Sequence, residues 1–171
     1  MKPRTILLSL FALSIIISGC PSSNEIPFSE KSTADRLDPA LLGRWKNYLV
    51  EVEANEVVIS KGKAANTYKI LITETGSEFD ANSKLYTGWI TTIKGTRYLV
   101  LQAVLDSGPS DEYYLYTVEL NGNKLISYDV YFDDVEAENA KTVKQFQQMV
   151  LENSRSEDFL KGEIEWWKMG R

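Results

Sequence analysis

The segment Thr96–Leu105, TRYLVLQAVL, restricts the fold more than any other part of the chain. Alternate residues of a strand point to opposite faces. Tyr98, Val100 and Val104 therefore share one face, and Leu99, Leu101, Ala103 and Leu105 share the other. Both faces are apolar, so both must be covered. Residues 44–53, 57–60, 67–75, 85–93, 113–120, 124–132 and 163–169 are also rich in Val, Ile, Thr and aromatic residues, the composition of strands. Lys94-Gly95 and Asn121-Gly122 read as hairpin turns between them. After Asp133-Asp134 the period changes. Ala140, Val143, Phe146 and Val150 recur at helical spacing, which predicts one amphipathic helix over about 136–153. The expected fold is mainly β: about eight antiparallel strands in a closed barrel or strongly curved sheet, with the helix before the last strand. The barrel interior covers one face of the doubly apolar strands and the helix covers the other.

Composition narrows the chemistry. The chain has 171 residues, one cysteine and no histidine. Imidazole-dependent catalysis and imidazole metal sites are excluded. So are an intramolecular disulfide, a CxxC pair and a thiolate zinc cage. A net charge of −5 argues against a nucleic-acid partner, which calls for a basic face. No glycine-rich phosphate loop, nucleophile elbow or EF-hand spacing occurs. No catalytic residue, metal site or cofactor is expected, and the chain reads as a non-enzyme.

The first twenty residues carry an address. Met1-Lys2-Pro3-Arg4 is a short basic region, followed by an apolar run to Ile17 that is short for a membrane span and has signal-peptide flanks. It ends in Ile17-Ser18-Gly19-Cys20. This sequence resembles the lipobox of bacterial lipoproteins. The resemblance implies that residues 1–19 are a signal peptide cleaved before Cys20, that Cys20 is the lipid (palmitate-type) attachment point, and that the membrane is a partner through this anchor. In that family Pro21, in place of Asp, implies the outer membrane, with the protein facing the periplasm. Cleavage would leave 17 basic against 24 acidic side chains, a net charge of −7.

Residues 20–36 are rich in Ser, Pro and charge and read as a lipidated flexible tether, enough coil to hold a domain about 20 Å off the bilayer. Residues 37–171 then form a single β-barrel-like domain. Within it, Leu42-Gly43-Arg44-Trp45 lies at the entry to the first strand, after a short helical turn opened by Asp38-Pro39. Gly43-x-Trp45 in this place resembles the motif of lipocalin-like (calycin) barrels. The resemblance implies a Trp45 that closes the barrel base against a basic residue of the last strand, Lys168 or Arg171. It also implies a calycin-like architecture that binds a small apolar ligand or lipid. The helix before the last strand departs from that family's pattern.

The aromatic residues are the candidate contacts for a ligand or partner: Trp45, Trp89, Tyr114, Tyr116, Trp166 and Trp167. Tyrosine and tryptophan combine an apolar body with a polar tip, which suits cavities, interfaces and ordinary sheet faces alike. Adjacent Trp166 and Trp167 must point to opposite faces. Gly88, among bulky neighbours, is expected to mark a bend. Asp129 alternates with Leu125, Ser127 and Tyr131 and is expected to be exposed. The acidic groups at 106–112 and 133–138 read as a solvated loop and a helix start. Two functions remain open: a lipocalin-like binder of a small apolar ligand or lipid, or a solid-core accessory lipoprotein that binds another envelope protein.

Overall fold

A computed structural model describes residues 23–48, 54–76, 80–132, 137, 139–156 and 158–170. Among the described residues the elements follow in chain order: β1 Ser23–Asn24, β2 Gly43–Lys46, β3 Ala54–Lys61, β4 Tyr68–Gly76, β5 Asp80–Ile93, β6 Thr96–Leu105, β7 Gly108–Asn121, β8 Lys124–Val130, the helix α1 Val143–Asn153 and β9 Leu160–Lys168. Strands β2 to β9 form an antiparallel ring in which each pairs with the next and β9 returns to β2. The eight-stranded barrel expected from the alternation is thus closed. β1 is an extra short strand that pairs with β7 just beyond the end of β8, with Ser23 opposite Tyr114 and Asn24 opposite Tyr113.

The two apolar faces of Thr96–Leu105 enter two separate cores. Leu101 packs inside the barrel with Trp45, Tyr68, Ile70, Ile90 and Val118. Tyr98 and Val100 lie on the outer wall, covered by Phe146 and Val150 of α1 together with Phe28, Val130 and Phe132. Both hairpin signals are used. Lys94 and Gly95 both take positive φ, 52° and 86°, between β5 and β6, and Gly122 takes 63° between β7 and β8.

Four local expectations are corrected. The helical stretch expected over about 136–153 is interrupted: Ala137 and Asn139 are helical, residues 140–142 are not, and α1 starts anew at Val143, because Thr142 is extended (φ −142°) and its hydroxyl accepts a hydrogen bond from the Gln145 amide. The acidic group at 133–136 and 138 lies outside the described residues. The last strand, expected over 163–169, starts earlier at Leu160, so Gly162 sits inside β9, at φ 61° where the β8–β9 register shifts. Gly88 is a matter of close packing: a Cβ there would lie 2.6 Å from Ile70 Cδ1 and 3.1 Å from Leu101 Cδ2.

The fourth correction is larger. From Ser23 to Arg36 the segment expected to be a free tether is bound to the barrel. Phe28 and Ser29 are 1% exposed. Phe28 stacks 4.6 Å from the Tyr98 ring. The Ser29 hydroxyl is 2.6 Å from the Thr91 hydroxyl, and Lys31 Nζ donates to Gln102 Oε1 at 2.6 Å. Few apolar residues suffice here, because they complete a surface that the barrel already presents.

Candidate functional site

The base of the barrel is closed by the residues that carry the Gly-x-Trp pattern. Trp45 is fully buried, and its indole N–H donates to the Leu41 carbonyl at 2.9 Å. Lys168, on the last strand, lies with Nζ 5.0 Å from the centre of the Trp45 ring and donates to the Ala40 carbonyl at 2.6 Å. Gly43 is required between them. Its φ is 137°, and a Cβ would meet Lys168 Cε at 3.1 Å. The 3₁₀ turn Pro39–Leu41 plugs the opening beside them. Asp38 secures it: its amide donates to the Tyr68 hydroxyl at 2.8 Å, and its carboxylate pairs with Arg97 at 3.0 Å.

Above this floor the interior is full. A space lined there by apolar groups including Leu41, Ile59, Tyr68, Ile70 and Val118 measures about 20 Å³. That is room for one water molecule at most. Small-molecule pockets are of order 300–1,000 Å³. Trp166 contributes to the filling, and its indole N–H donates to the Ser127 hydroxyl at 3.1 Å.

The opposite end is different. β8 ends at Val130, near the level of Leu115, whereas β7 starts at Gly108. β8 therefore stops well short of the end of β7, and β1 takes up the pairing with β7 just beyond it, at Tyr114 and Tyr113. Tyr86, Tyr114 and Tyr116 project inward at this mouth, with the Tyr86 and Tyr114 rings edge to face at 6.2 Å. Asp129 lies opposite Tyr116 and is half-buried, not exposed as its sequence position suggests. Burial raises its carboxyl to about 6. Burial, reinforced by the Asp129 charge, also drives the Tyr116 hydroxyl strongly upward, so it is a neutral donor at all ordinary pH. A Cβ on Gly162 would lie 3.0 Å from Asp129 Oδ2, so only glycine leaves this carboxylate its space. Lys161 stands across from Asp129 in register, but its ammonium sits 3.9 Å from the Tyr131 ring centre. Among the described residues, no hydrogen bond or ion pair engages the Asp129 carboxylate.

The six sequence candidates thus separate. Tyr114 and Tyr116 meet at the mouth. Trp45 and Trp166 are structural, at the base and in the filled core. Trp89 lies outside the barrel beneath the N-terminal segment, where its indole N–H donates to the Ser29 carbonyl at 3.0 Å. Trp167 points outward and is 39% exposed. It forms a surface patch with Lys124, whose ammonium is 5.6 Å from the Trp167 ring, and with Lys46, its partner in register. Tyr48 and Met169 adjoin this patch, 3.5 Å apart, both exposed. Tyr86, Tyr131 and Lys161 were not singled out by the sequence. They are brought to the mouth by pairings of β5, β7, β8 and β9 that no local pattern encodes. No protein-family model, curated protein or solved structure matches the chain.

Proposed function

We propose that this protein is a membrane-anchored lipoprotein of the bacterial envelope whose barrel binds, without catalysis, a small ligand at its tyrosine-lined mouth. The observation that carries the ligand reading is the unpartnered Asp129 carboxylate beside Tyr86, Tyr114 and Tyr116. A desolvated carboxylate is costly unless a partner arrives. A ligand that brings a hydrogen-bond donor or a cation to Asp129 and lays an apolar body on the rings meets both needs. The filled lower barrel argues against a long apolar chain in the interior, so the lipocalin-like reading is narrowed to the mouth. Anchoring rests on the lipobox-like Ile17-Ser18-Gly19-Cys20, with the outer membrane and a periplasmic face as its expected location.

The test uses the full chain purified in detergent. Isothermal titration with amine-bearing and neutral amphiphiles is expected to give saturable heat for at least one compound, weakened tenfold or more by Tyr114→Ala and by Asp129→Asn. Equal affinity in both variants would sink the mouth as the site. In cells, Cys20→Ala is expected to move the protein from the membrane to the soluble fraction.

A second reading draws on the Trp167 patch. An exposed tryptophan framed by Lys46 and Lys124, with Tyr48 and Met169 alongside, has the composition of a protein-interface anchor. In this reading, site-specific cross-linking from Trp167 recovers one dominant envelope protein.

A further inference from the structure

The beginning of the described chain lies at the lip of the mouth, and that placement bears on how the barrel meets a membrane. This inference rests on the proposed anchoring through Cys20. Ser23 is already hydrogen-bonded into the sheet opposite Tyr114, and only Pro21 and Ser22 separate it from Cys20. Three residue steps reach at most about 10 Å. The stand-off of about 20 Å that a free tether of residues 20–36 would allow is thereby removed. A lipid on Cys20 cannot leave the β7–β8 side of the barrel.

That side also carries exposed apolar groups. β8 pairs with β7 as far as Asp129 opposite Tyr116, and β1 takes up the same flank of β7 just beyond, with Ser23 opposite Tyr114, so Tyr131, the first residue past β8, leaves the sheet next to the start of β1. Tyr131 is 47% exposed and Leu160, the partner of Val130 in register, is 40% exposed. Lys161 adds a cation against the Tyr131 ring. Tyrosine, leucine and lysine with apolar stems and polar tips suit the headgroup region of a bilayer. The opposite wall, β3, is four strands away around the ring in either direction.

We propose that the β7–β8 side of the barrel, at the lip of the mouth, rests on the bilayer surface, so that the mouth opens beside the lipid headgroups. The lipid link does the holding. Glu25, Asp111, Glu112 and Asp158 surround this side, and the mature chain has net charge −7, so charge attraction to anionic lipid contributes nothing.

The test uses the full lipidated protein in vesicles of phosphatidylethanolamine and phosphatidylglycerol. Lipidation consumes the single native thiol, so an introduced cysteine is unique. A bimane label is placed at exposed Glu25→Cys, near the link, or at exposed Ser60→Cys on β3. Nitroxide lipids labelled near the headgroup should quench the label at position 25 at least threefold more than at 60. Inserting about fifteen Gly/Ser residues between Pro21 and Ser22 should erase the difference. Equal quenching at both sites of a chain whose N-terminal peptide shows the lipid mass overturns the seating and leaves the anchor intact. A position-25 label shielded from aqueous iodide but not quenched by nitroxide lipid places a protein there and overturns it too. An N-terminal peptide without lipid overturns the anchoring, and the seating with it.

Discussion

Asp129 illustrates how one side chain trades stability for availability. Its neighbours, Tyr116 across the strand pair and Gly162 on β9, leave it space but no counter-charge. The folded carboxyl ionises at about 6, above the usual carboxylate range, because burial disfavours its charge. Between about pH 4 and 6 the folded protein therefore binds more protons at this site than the unfolded chain does. The sign follows directly. Asp129 lowers stability fully above about pH 6, and the penalty is relieved as pH falls toward about 4. Asp129→Asn should raise the melting temperature at pH 7.5 and change it much less at pH 4.5, read by thermal denaturation at both values. An equal rise at both pH values would show that ionisation is not the cause.

At the level of elements, the N-terminal segment departs furthest from its composition. Residues 23–36 have too few apolar groups, too irregularly spaced, to announce an element, and Ser, Pro and charge dominate them. Their order comes from the barrel. The outer faces of β5, β6 and β7 present Trp89, Tyr98, Val100 and Leu115, and α1 covers only part of that surface. Phe28 fills the remainder, edge to face with Phe146 at 6.4 Å. Phe28→Ala removes a fully buried ring and should cost about 3–5 kcal/mol, measured as a shift of the urea midpoint at constant slope. A loss under about 1 kcal/mol would mean that the segment adds little to the fold. The helix shows the reverse case. Its apolar spacing was legible, but its first turn was set by the Thr142 cap, a choice between several polar residues that periodicity does not make.

For the whole molecule, closure is the decisive event and its seam is thin. Among the described residues, β2 and β9 meet through Trp45 opposite Lys168 and Lys46 opposite Trp167, with one more bond from the Met169 amide to the Arg44 carbonyl. β5 and β6 share eight register pairs. In native-state hydrogen exchange, amides of β2 and the end of β9 should exchange through a local opening well before those of β5 and β6. Simultaneous exchange would indicate that the Trp45–Lys168 base holds the seam as tightly as the wall. By itself the sequence determined that Thr96–Leu105 is covered on both faces, where the hairpins turn, that Trp166 and Trp167 diverge, and that a helix supplies one cover. Those properties follow from backbone periodicity, which is local. Only the tertiary structure decided that side chains such as Trp45, Tyr68 and Trp166 fill the lower interior, that Asp129 turns inward beside three tyrosines, and that residues 23–36 belong to the barrel. Each of these depends on which strands become neighbours around the ring and how far each one extends, and the chain chooses both through contacts between residues distant in sequence.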